Sequence, residues 1–72
     1  MKEKIIELME EILGEESGVI TGETTMEELE SWDSLAHVML IGALEERLNI
    51  SIPIDEAVEI TSVKELLEKA GV

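Results

Sequence analysis

In the stretch SWDSLAHVMLIG, Ser31 to Gly42, an acid, a serine and a histidine stand close together as Asp33, Ser34 and His37. Those types could make a nucleophile, its base and an orienting acid, provided His37 turns toward Ser34 Oγ. His37 lies three residues past the serine and toward the apolar side. It therefore reads as a half-buried residue satisfied by a loop carbonyl. A different chemistry suits Ser34 better. Free backbone N–H groups and the positive end of the helix dipole make a helix start comfortable for a phosphate. With Asp33 as N-cap, Ser34 would stand in the first turn with its hydroxyl outward. The competing reading is an ordinary N-cap serine. The chain has no Cys, hence no thiol nucleophile, disulfide framework or zinc knuckle. No stretch alternates acidic ligands with Gly as an EF-hand loop does, so no metal site is expected. With no convincing catalytic set, the chain does not read as an enzyme.

Four helices would have to position these residues. Ile5, Leu8, Met9 and Ile12 fall at i, i+3, i+4 and i+7, which predicts an amphipathic helix over 2–13 stopped by Gly14. Residues 14–33 read as a long loop, pinned to the core by Val19, Ile20, Met26 and Leu29. Thr24-Thr25-Met26-Glu27-Glu28 has capping-box spacing within that loop and fits one helical turn. So long a connection in so small a domain tends to be functional. The second helix covers 34–48, capped by Asp33 or Ser34. In NISIPIDEAVEI the alternation of Ile50, Ile52 and Ile54 suggests a strand, but Pro53 interrupts it and no partner strand exists. A loop whose isoleucines plug the core, then a short helix capped by Asp55, is the better expectation. The last helix starts at Thr61 or Ser62, has capping-box spacing from Ser62 to Glu65, and buries Val63, Leu66 and Leu67 before Gly71. The fold class is all-α: a small four-helix bundle, three main helices and one short, with a long loop after the first.

Placed on a wheel at about 100° per residue, the second helix has two apolar sides. His37, Leu40, Ile41, Leu44 and Leu48 form a core stripe. Leu35, Met39, Gly42 and Glu46 lie nearly opposite, with Val38 at the edge. A bundle this small cannot bury both. The second side is then either a docking surface beside Ser34, the favoured reading, or is covered by the loop 14–33.

Composition narrows the partners. The 72 residues fit one domain, 1–72, and the initial Met1 suggests a discrete protein. Eighteen acidic against five basic residues give a net charge of −13, which argues against nucleic acid. The acidity suits a basic partner surface, or merely keeps a small protein in solution. No apolar run spans a bilayer, and MKEKIIELMEEIL is too acidic for a signal peptide. A monomeric cytoplasmic protein without membrane contact is expected.

Asp33-Ser34-Leu35, followed by a helix ending in ALEERLNISIP, resembles the acyl carrier proteins, and the resemblance covers essentially the whole chain. It implies that Ser34 carries 4'-phosphopantetheine, with Asp33 beside it, installed by a phosphopantetheinyl transferase from coenzyme A with magnesium. It implies that the thiol of that arm holds an acyl or aminoacyl group as a thioester. A loading ligase and downstream acyl-transfer enzymes would then be the partners, meeting Leu35, Val38 and Met39, with Glu45 and Glu46 farther along. One departure stands out. Fatty-acid carriers read DSLDxVE, whereas Ala36 and Met39 occupy the two acidic positions here. That is closer to the apolar helix of peptidyl carriers, or to stand-alone carriers serving a dedicated ligase. Ser31-Trp32-Asp33 also differs from the Gly-Gly start of peptidyl carriers, and Trp32 is expected to pack the loop against the helix start. The alternative to a carrier is an acidic adaptor of the same fold that is never modified.

Overall fold

A computed structural model describes residues 2–71. Helix α1 is Lys2–Leu13, α2 is Ser34–Leu48, α3 is Ile54–Ala57 and α4 is Val63–Ala70, with a 3-10 turn at Met26–Glu28 inside the long loop. No strand is formed among the described residues. The architecture is the small helical bundle expected from the sequence.

Each element ends for a local reason. Gly14 leaves α1 with φ +71°, a left-handed turn that costs a glycine little. Asn49 does the same for α2 at φ 59°, and its N–H bonds the carbonyl of Leu44. Ile5, Leu8, Met9 and Leu13 of α1 pack on Leu40, Ile41 and Leu44 of α2, and Val63, Leu66 and Leu67 of α4 close the core. The four-residue α3 contributes Ala57, and Ile52 and Ile60 flank it from the connections.

The long loop is fastened rather than free. Met26 N–H donates to Thr61 O at 2.8 Å and Val63 N–H to Thr24 O at 2.9 Å, a single antiparallel bridge between the loop and the start of α4. Glu28 accepts from both the amide and the hydroxyl of Thr25, each at 3.0 Å, so the one helical turn expected there forms. Ile20 is buried, while Met26 and Leu29 pack partly against the core.

Three local expectations need correction. Val19 points outward, 45% exposed, because the turn closed by its own N–H on Glu16 O sends Ile20 inward instead. Ile54 is exposed as well: α3 begins there, so the period changes from two to 3.6 and the inward positions become Ala57 and Ile60. Asp55 does not cap α3. Pro53 holds the cap position, its carbonyl accepting from Glu56 and Ala57 N–H, and Asp55 lies exposed in the first turn. At α4, Ser62 is the cap and accepts from Glu65 N–H at 3.2 Å, but the returning Glu65 carboxylate takes Thr61 N–H and Oγ1 at 2.8 Å.

Candidate functional site

The start of α2 is built by Asp33. Its carboxylate accepts Ala36 N–H at 2.9 Å and its carbonyl accepts His37 N–H at 2.8 Å. Ser34 is therefore the first helical residue, and the amides of Ser34 and Leu35 have no carbonyl partner within the helix. The side chain of Ser34 is exposed, and its Oγ makes no hydrogen bond to any described residue. Ser31, the nearest alternative hydroxyl, is engaged as a donor to the Glu15 carboxylate.

His37 is buried, and both ring nitrogens are used. Trp32 Nε1–H donates to His37 Nδ1 at 3.0 Å, and Nε2 lies 2.8 Å from Ala57 O. An indole N–H is only a donor and a carbonyl only an acceptor. Nδ1 is therefore bare and Nε2 carries the hydrogen, which fixes a neutral tautomer. Neither nitrogen is left to take a proton from Ser34, so the Ser-His-Asp device is excluded. The satisfying carbonyl belongs to α3 and not to a loop. Trp32, 2% exposed, packs the loop end against the helix start as expected.

A cavity of about 320 Å³ opens beside Ser34, lined by His37 and Val38 of α2, Val58 and Ile60 after α3, and Met26 and Thr61. Thr61 is also the donor to Glu65: its amide first, then its hydroxyl, hold that carboxyl below the usual glutamate range. Leu35, Val38 and Met39 are 71%, 58% and 53% exposed, Val38 at the cavity's edge, so the loop does not cover the second side of α2. Val58, just after α3, is exposed too and shares the cavity lining with Ser34 and Val38, and Ile54 on α3 is likewise exposed. The sequence reading missed both. Their i, i+4 spacing was the available signal, hidden by assigning Ile54 to the core. Glu45 and Glu46 are exposed but begin eleven residues past Ser34, about 16 Å along the axis, so they do not border the serine. Arg47, which interrupts the acidic run, turns toward α1 and meets Glu11 at 2.8 Å.

A phosphodiester on Ser34 fits what is present: an unbonded hydroxyl, open first-turn amides and an apolar-lined hollow next to it. A family model described as the phosphopantetheine attachment site matches residues 3–69. Acyl carrier proteins of Rickettsia canadensis and Syntrophobacter fumaroxidans are each 34% identical over 68 residues, covering 94% of this chain and 79% and 84% of theirs. The solution structure of a holo acyl carrier protein from Geobacter metallireducens superposes with a TM-score of 0.82 at 26% identity, covering 96% of this chain and 79% of that one. These likenesses support a phosphopantetheine-carrying protein and give no support to the unmodified adaptor.

Proposed function

The chain belongs to the acyl carrier protein family, and from that premise we propose that Ser34 is the residue that bears its phosphopantetheine arm. The observation that carries this reading is the free, exposed Ser34 hydroxyl at the first position of α2, beside the apolar-lined cavity. Asp33 serves by capping: it occupies the Ala36 amide and leaves the Ser34 and Leu35 amides open to a phosphate. When attached, the arm supplies a thiol that holds an acyl or aminoacyl group as a thioester. The chain's own residues hold the serine outward and present a face. Among the described residues His37 has both ring nitrogens engaged and does not serve Ser34 as a base, and transfer onto Ser34 is assigned to a phosphopantetheinyl transferase.

The face is Leu35, Val38 and Met39 on α2, continued by Ile54 and Val58 at α3, and five exposed apolar side chains around one serine form a docking surface. The partners that fit it are the transferase, a loading ligase and acyl-transfer enzymes, met in turn by a single carrier domain working as a monomer in the cytoplasm. Glu45 and Glu46 add a peripheral acidic contact for partners with a basic rim. With Ala36 and Met39 at the positions that are acidic in fatty-acid carriers, the surface near Ser34 selects partners by apolar contact more than by charge. Incubating the protein with coenzyme A, magnesium and a broad-specificity transferase should add one phosphopantetheinyl group by intact mass. Ser34→Ala should add none. Undiminished modification of that variant would sink the assignment.

A further inference from the structure

We propose that His37 is the positioning residue for Ser34, and that it acts through the chain of hydrogen bonds Trp32–His37–Ala57. This rests on the assignment of Ser34 as the attachment residue. The imidazole joins three segments that border the serine. Trp32 ends the long loop, His37 sits one turn into α2 and Ala57 closes α3, with bonds of 3.0 and 2.8 Å. His37 also forms part of the wall of the cavity that Ser34 opens onto. Ser34 and His37 are three apart on one helix and so lie on neighbouring positions of its surface.

The chain works in one direction only. The indole must donate and the Ala57 carbonyl must accept, so the ring has to present a bare Nδ1 and a protonated Nε2. The other tautomer would set two N–H groups against each other and two lone pairs against each other, with His37 and Trp32 both buried. α3 is four residues long with Ala57 as its only buried side chain. The buried Ile52 and Ile60 flank it and Lys69 ties Glu56 to α4 at 3.3 Å, while the bond from His37 is the one described that ties it to α2. Its exposed Ile54 and the Val58 that follows belong to the docking surface. The imidazole therefore fixes where α3 stands relative to Ser34, and with it the shape that a transferase meets.

The test uses the full chain in two arms. In the first, nitrogen-15 spectra of the unmodified protein should show His37 as the neutral Nε2–H tautomer, and the Trp32 indole proton should be protected from exchange. An Nδ1–H tautomer, or a freely exchanging indole, overturns the proposal whatever Ser34 does. In the second, phosphopantetheine transfer from coenzyme A is followed with a broad-specificity transferase. His37→Phe keeps a ring and removes both bonds; kcat/KM should fall about tenfold or more, the scale of a displaced reacting group. His37→Gln supplies one acceptor and one donor, and should recover part of the loss. A folded His37→Phe with an unchanged rate, or a Gln variant no better than Phe, overturns the proposal. Should His37→Phe not fold, the Gln variant and the wild-type spectra decide. Ser34→Ala runs alongside: transfer that persists there defeats the site assignment and is read separately from the tautomer.

Discussion

Met39 and Leu40 are neighbours in sequence and opposites in the fold, and substituting them separates docking from folding. Leu40 is fully buried in the core, whereas Met39 is 53% exposed on the face beside Ser34. Burying a whole methionine side chain is worth about 1.5–3 kcal/mol, so half of that, about 1 kcal/mol, is the most that Met39→Glu can remove. Glutamate and methionine have similar helix propensities. The residues three and four away, Leu35, Ala36, Gly42 and Ala43, carry no charge to repel the new one. Leu40→Ala should instead cost about 2–5 kcal/mol, much of the roughly 4–10 kcal/mol available to a chain this size. Chemical denaturation followed by circular dichroism measures both. For function the order reverses. A charge set into an apolar contact costs about 2 kcal/mol or more at a central position, so transfer by an apolar-faced partner should fall more than about tenfold in Met39→Glu. A loss of more than about 2 kcal/mol of folding free energy in Met39→Glu would place Met39 in the core and refute the two-sided wheel. Unchanged transfer at intact stability would refute the docking face.

Three other outcomes are expected. The net charge of −13 is carried by a body whose Cα extents are 26 × 22 × 18 Å, and the two ion pairs described, Arg47–Glu11 and Lys69–Glu56, are surface pairs worth little. The melting temperature should therefore rise with sodium chloride, as the Debye length shortens to about 10 Å at 0.1 M, and again with magnesium; a flat series contradicts self-repulsion as the limit on stability. Glu65 has its folded-state carboxyl lowered by the Thr61 amide and hydroxyl, so its stabilisation is present above the unfolded glutamate range and is lost as pH falls through the folded value. Glu65→Gln should flatten that acid limb in a pH series of denaturation curves, and an unaltered limb would remove Glu65 as its source. Asp33→Ala deletes the cap on the Ala36 amide and should cost about 1 kcal/mol, read as a fall in melting temperature of roughly 4–8 °C; no fall would mean that Asp33 does not hold the start of α2.

Where one physical rule dominated, the sequence was sufficient. The stripe Ile5-Leu8-Met9 and the core side of α2 followed from periodicity, and a helix start at Asp33 or Ser34 followed from their capping types, with Asp33 taking the cap in the structure. Long-range hydrogen bonding was not legible in the same way. Nothing local in Trp32, His37 or Ala57 says that an indole, an imidazole and a helix carbonyl will line up across 25 residues of chain. The bridge from Thr24 and Met26 to Val63 and Thr61 was hidden for the same reason, since isolated backbone pairs leave no side-chain pattern. Ile54 and Asp55 were misread because the alternating isoleucines carry on, residue for residue, into the first turn of α3. The apolar face itself was visible on the wheel, but its extension onto α3 required knowing which side of a four-residue helix meets the core.

The most direct measurement is tandem mass spectrometry of the protein purified from its own cells. A carrier should yield a peptide spanning Asp33 to Leu35 that holds one phosphopantetheinyl group on Ser34, with any thioester-bound acyl or aminoacyl group still on its thiol. Native protein with an unmodified Ser34 peptide throughout, or with the group on Ser17, Ser31, Ser51 or Ser62, would contradict the assignment.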